Sequence, residues 1–159
     1  MKILKIDETL DSCEQHIAST NASGTEIEAL LTRAVLVLTC SVFEEKIEQM
    51  IGRRADSLND PAMCAFFKSC VSAVFRSTLS SELAGLMNRF GPDFKQRFLG
   101  RTQGHERAVT FYNNIVVNRH GAAHTESINV TLRELRQFYE EGHIVLDFLE
   151  ETINETYPT

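Results

Sequence analysis

The chain has 159 residues, enough for one compact domain that buries roughly two-thirds of the surface its unfolded form exposes. With 43% hydrophobic and 24% charged residues it has the balance of a globular protein, and no apolar run approaches the ~18 residues a membrane span needs. A net charge of -6 argues against a protein that simply coats nucleic acid, although residues 68–136 are locally basic, with ten lysines and arginines against five acids.

The opening stretch MKILKIDETLDSCEQHIAST has too short an apolar segment, and acids too early, for a signal peptide. It predicts a cytoplasmic protein with reduced thiols. Cys13, Cys40, Cys64 and Cys70 lack C-x-x-C spacing and fall in helical patterns, so they read as small apolar fillers rather than a zinc set. The strongest periodicity follows: Ile27, Leu30, Leu31, Ala34, Val35, Leu38, Val42, Phe43, Ile47, Met50 and Ile51 make one buried stripe at three-and-four spacing. Thr25 with Glu28 predicts a capping box at the start of that helix, which runs about 40 Å to near Gly52 and forms the spine of a bundle.

Asp60-Pro61 pairs a capping residue with proline at the first helical position and opens a helix through AMCAFFKSCVSAVF. A shorter helix is expected over 81–90. GPDFKQRFLGRTQG, with three glycines and a proline, predicts a loop with one helical turn. Ala108, Tyr112 and Ile115 mark the buried face of a helix over about 105–118. Thr131 with Glu134 forms a second capping box, and Leu132, Leu135, Phe138, Val145, Leu146, Leu149 and Ile153 give the last helix a continuous apolar face. No strand alternation, repeat or long linker is visible. The predicted fold is an all-α bundle of about five helices around one long central helix, a single domain over 1–159.

One stretch does not fit a plain bundle. VVNRHGAAHTES, residues 116–127, places an arginine, two histidines and an asparagine at the end of an apolar helix. Arg119 continues the stripe of Ala108, Tyr112 and Ile115 and so faces the core, where an unpaired guanidinium is costly. It either pairs with a structural carboxylate such as Glu44 or meets an anion in a cleft. On an unbroken helix His124 would lie about 140° around the axis from Arg119. A turn at Gly121 would let the two converge.

RHGAAH, Arg119 to His124, resembles the Arg-x4-His motif of the HEPN ribonucleases, in which the residue after the arginine is polar, here His120. The helix LLTRAVLVLTCSVFEEKIEQMI, with its aromatic-Glu pair Phe43-Glu44, resembles the second helix of the HEPN subgroup named after RNase L and PSP-type proteins. The resemblance runs from about 25 to 153. It implies metal-independent cleavage of RNA at the interface of a homodimer, where two motifs face each other across a groove. Under it His124 takes the proton of the ribose 2′-hydroxyl, which an imidazole of pKa about 6.5 suits. Arg119 holds the non-bridging oxygens of the phosphorane-like transition state. His120 orients the phosphate or protonates the leaving oxygen, Asn118 donates a hydrogen bond, and Glu44 orients Arg119 or a histidine. The product is a cyclic phosphate. No cofactor, metal or membrane is expected.

At family level the setting is a toxin or phage-defence effector, with a neutralising antitoxin or regulatory protein as a further partner. Some HEPN toxins carry a modifiable tyrosine two residues after the histidine; here Glu126 stands there, so that mode of silencing is not implied. Three other readings compete. His120 and His124 have the i, i+4 spacing of zinc-binding helices, but Gly121 stands where such motifs place a glutamate. A non-catalytic HEPN module would dimerise or bind nucleotide or RNA without cleaving it. A structural helical adaptor would use the same polar groups only to end a helix.

Overall fold

The computed structural model describes residues 3–57, 60–74, 78–123 and 130–155, with the side chains of 68, 71–74, 120, 122 and 123 outside the description. Among these residues there are eight helices and no strand: α1 (Leu4–Thr20), α2 (Glu26–Asp56), α3 (Pro61–Val74), α4 (Ser80–Phe90), α5 (Pro92–Thr102), α6 (Glu106–Ala123), α7 (Leu132–Gly142) and α8 (Ile144–Asn154). The all-α class is as expected, with more helices than the sequence suggested.

α1 is one of the additions. Ile6, Leu10 and Ile17 form its buried stripe, and the helix stops where Asn21 turns to φ 52° and returns its N–H to the Ile17 carbonyl. Arg136 of α7 holds it from the far side, 2.6 Å from Asp11 and 2.5 Å from Glu14. α2 is the spine, touching α1, α3, α6, α7 and α8. Its 31 residues span about 46 Å. It continues past Gly52 to bury Ala55, and its core face carries Val35, Leu36, Phe43, Ile47, Met50 and Ile51. Thr32 and Thr39, fully buried, donate to the carbonyls one turn back, so neither hydroxyl is stranded.

Two expectations about α2 are corrected. Ile27, Leu30 and Ala34 lie on the exposed side, not in the core. Thr25 caps with its backbone only: its hydroxyl donates to the Ala22 carbonyl, while Glu28 accepts from the Gly24 N–H at 2.6 Å. The cap at Asp60 is as read, with Oδ1 accepting from Ala62 and Met63. So is the reciprocal box of Thr131 and Glu134.

The segment expected as a loop is α5. Gly91, at φ 139°, makes the turn that lets Pro92 start a helix, and Phe94 and Phe98, one turn apart, are buried beneath it. Arg97 and Arg101 fasten α5 to the end of α8 by pairing with Glu155, and Arg101 also meets Glu151 at 2.9 Å. The thiol expectation holds fully only for Cys40. Cys13 and Cys64 are half-buried and Cys70 is exposed; none of the four is in a disulfide.

The last helix is divided at His143, where the next residues start α8. Gly142 is the reason α7 can lie so close to α6: a Cβ there would come within 2.7 Å of the Tyr112 nitrogen. Gly142→Ala should therefore lower stability by about 1–3 kcal/mol through forced separation of α6 and α7, although alanine is the better helix former by about 1 kcal/mol. Urea unfolding decides the sign.

The Glu155 carboxyl is held below the ordinary carboxylate range by the Arg97 hydrogen bond, with Arg101 adding its charge. A lowered folded-state pKa contributes stability above the unfolded value and loses it as pH falls through the folded value. Denaturation midpoints should drop as pH is lowered below about 4.5, and Glu155→Gln should flatten that part of the profile.

Candidate functional site

The site grows from the seam between α2 and α6. Tyr112, Ile115 and Val116 are buried on α6, and Tyr112 stacks on Phe43 of α2 with ring centroids 5.5 Å apart and planes 7° from parallel. One turn on, the Cys40 thiol approaches the Ile115 carbonyl at 3.8 Å. A further turn brings Arg119 Nη2 within 3.5 Å of Glu44 Oε1. The contacts step forward along α6, from Tyr112 to Ile115, as they step back along α2, from Phe43 to Cys40, so the two helices run in opposite senses here and Arg119 and Glu44 meet by reaching toward each other along the seam.

Exposure changes along this ladder. Cys40 is buried, and its thiol is pushed up to about 12, mainly by burial, with Arg119 pulling it down and Glu44 pushing it up. Such a thiol is a packing group, not a nucleophile. The Tyr112 hydroxyl is wholly buried and its pKa is raised by burial; Thr78 is the group that would stabilise charge on it, but among the described residues no partner meets hydrogen-bond geometry. The Arg119 and Glu44 side chains, by contrast, are 33% and 34% exposed. The arginine that periodicity places on the core-facing stripe therefore emerges at the surface end of the seam.

That number decides between two readings of the pair. A buried ion pair broken by removing one partner costs about 3–5 kcal/mol. A pair exposed by a third, held through a single 3.5 Å approach, belongs with surface pairs worth about 0–1 kcal/mol. The remaining guanidinium donors can then take an anion without dismantling the fold.

The other expected residues fare differently. Asn118 turns its amide onto its own helix, donating to the Asn114 carbonyl at 2.8 Å. His120 lies on α6, but its side chain is outside the description. Gly121 does not break the helix, which continues to Ala123. The turn expected there is thus absent, and His124 lies outside the described residues. The structure brings together Arg119 and Glu44. Cys40, read as an apolar filler, and Tyr112, read on the stripe of Arg119, lie where the sequence put them; what sequence reasoning missed is the stack of Phe43, the residue before Glu44, on Tyr112, and the signal was an aromatic on each apolar stripe. Among the described residues no group of three or more His, Cys, Asp or Glu is arranged to hold a metal ion.

Arg119→Ala should leave the fold intact, with a loss of less than about 1 kcal/mol by chemical denaturation. A loss near 3 kcal/mol would return the arginine to a structural role.

No helix among the described residues is long and apolar enough to cross a membrane. No curated protein and no solved structure matches the chain. The family model described as RiboL-PSP-HEPN matches residues 2–155, including α1, which the resemblance read from residue 25 had left out. The ladder that ends at Arg119 and Glu44 thus lies within a domain of known type: the chain belongs to the RiboL-PSP-HEPN family.

Proposed function

We propose that the protein is a metal-independent endoribonuclease that cleaves RNA by attack of the ribose 2′-hydroxyl and leaves a cyclic phosphate and a 5′-hydroxyl. The observation that carries this reading is Arg119, held at the open end of the α2–α6 seam by Glu44, itself exposed by a third, in a chain of this family. Arg119 clamps the phosphate oxygens as charge develops on them. Glu44 fixes the guanidinium before the substrate arrives. His124 is assigned the base role, His120 the phosphate or leaving oxygen, and Asn118 a supporting hydrogen bond made once its amide leaves the Asn114 carbonyl. The biological setting proposed is a toxin or phage-defence effector under the control of a neutralising or regulatory protein.

The proposed assembly is a homodimer whose two motifs share one groove. α2 supports it with an unpartnered apolar stripe: Ile27, Leu30 and Val37 are 50%, 55% and 40% exposed at intervals of three and seven, and the stripe leads toward Glu44. On α6, Val117 is 56% exposed. An isologous contact between two such faces is the commonest way to bury them. The paired state of Arg119 and the inward-turned amide of Asn118 favour one alternative, a HEPN module that dimerises or binds nucleotide or RNA without cutting it.

Two measurements test these readings. Total RNA incubated in chelator with wild-type protein should yield cyclic phosphate ends, and Arg119→Ala and His124→Ala should each reduce cleavage by about 10²-fold or more while remaining folded. Retention of RNA without cleavage selects the binding module, and strict dependence on added divalent metal with 5′-phosphate products rules out the mechanism. In sedimentation, the double variant Leu30→Asp, Val37→Asp should be monomeric where wild type is dimeric; a wild-type monomer that still cuts RNA would sink the shared groove.

A further inference from the structure

Helical spacing gathers Met63, Phe66, Phe67 and Cys70 on one side of α3 and the positions of Lys68, Ser69 and Ser72 on the other. An apolar helix face is normally covered, yet Met63 is 46% and Phe66 61% exposed. Between α3 and α4 lies a groove of about 180 Å³. Phe66, Phe67 and Cys70 form one wall, Leu86, Arg89 and Phe90 the other, and Ile51 of α2 the floor. Both walls are built from residues a helical turn apart, the spacing into which the ridge of another helix packs. The volume is well below the ~300–1,000 Å³ of sites that enclose a small molecule. It suits one or two aliphatic side chains inserted from outside.

The charge around the groove narrows the occupant. Among the described residues Arg89, in the last turn of α4, is the only charged group lining it, and no carboxylate does. We propose that the α3–α4 groove receives an amphipathic α-helix of a partner protein, its apolar ridge between Phe66 and Leu86 and an acidic residue on its flank directed at Arg89. A second copy fits less well, since symmetric pairing sets two concave faces together and brings one Arg89 toward the other. Among the described residues a nucleic-acid strand would find one cation beside six uncharged, mostly apolar side chains. The site is separate from the Arg119 seam, and the proposal stands whether or not the chain cleaves RNA.

The test uses the immobilised full chain and a displayed library of 14-residue helical peptides, counter-selected against Phe66→Asp, a substitution at an exposed position whose folding is checked by thermal melting. The expected winners carry Leu, Met or Phe at i, i+3 or i+4, and i+7, flanked by Glu or Asp. Their affinity should fall about a hundredfold with Phe66→Asp, as for loss of an interface anchor. It should fall about three- to tenfold with Arg89→Glu, and be restored when the flanking acid is changed to lysine. Absence of enrichment, or winners that bind Phe66→Asp equally well, overturns the proposal. So does a wild-type dimer that Phe66→Asp dissociates, which makes a second copy the occupant. Binding of polyuridine that Phe66→Asp abolishes overturns it in favour of RNA.

Discussion

The molecule is organised around the close approach of three helices at Tyr112. The ring lies flat on Phe43 of α2, and the backbone behind it meets Gly142 of α7 at a distance that admits no side chain. Neither contact leaves room for sliding: a parallel ring pair fixes the register of α6 on α2, and a glycine contact fixes its separation from α7. A fully buried aromatic is worth about 1.5–3 kcal/mol over an exposed one, so these contacts are among the larger single contributions to the core. Tyr139, three residues before Gly142, binds the Ile3 backbone through its hydroxyl, so α1 takes its place from the same clamp. Arg119, two turns beyond Tyr112, inherits its position.

How far the sequence revealed this depends on the range of the forces involved. α2, α3, α4 and the start of α7 were legible because hydrophobic period and terminal residues act over a few positions. α5 was not, because the three glycines and proline in and around it advertise a loop, whereas what makes it a helix is distant: burial of Phe94 and Phe98, and acceptors in and just past α8, 50–58 residues on, for Arg97 and Arg101. The expected break at Gly121 failed for a local reason. Glycine is only about 1 kcal/mol poorer than alanine in a helix, and two alanines follow it.

The site was half legible. Spacing placed Arg119 on the face that meets α2, and Glu44 was named as its partner. Spacing could not say that this face reaches solvent at residue 119, because exposure depends on how far the neighbouring helix and its side chains extend, and period carries only direction. For the same reason Ile27, Leu30 and Ala34 read as core: an apolar position says that something should cover it, not that this chain does. The exposed α2 stripe and the α3 face are two answers to that demand, one proposed for a second copy and one for a different protein.

The basic stretch of residues 68–136 loses much of its charge when the chain folds. Arg97, Arg101, Arg107, Arg119 and Arg136 all reach carboxylates, and the acceptors, Asp11, Glu14, Glu44, Glu140, Glu141, Glu151 and Glu155, all lie outside that stretch. Among the described residues five of the stretch's cations are therefore compensated internally, and the positive field offered to a polyanion is weaker than the linear sequence implies. Fewer cations facing phosphates means fewer counterions released on binding. Any nucleic acid the protein holds should be gripped by short-range contacts at a few positions, with a shallow dependence on ionic strength.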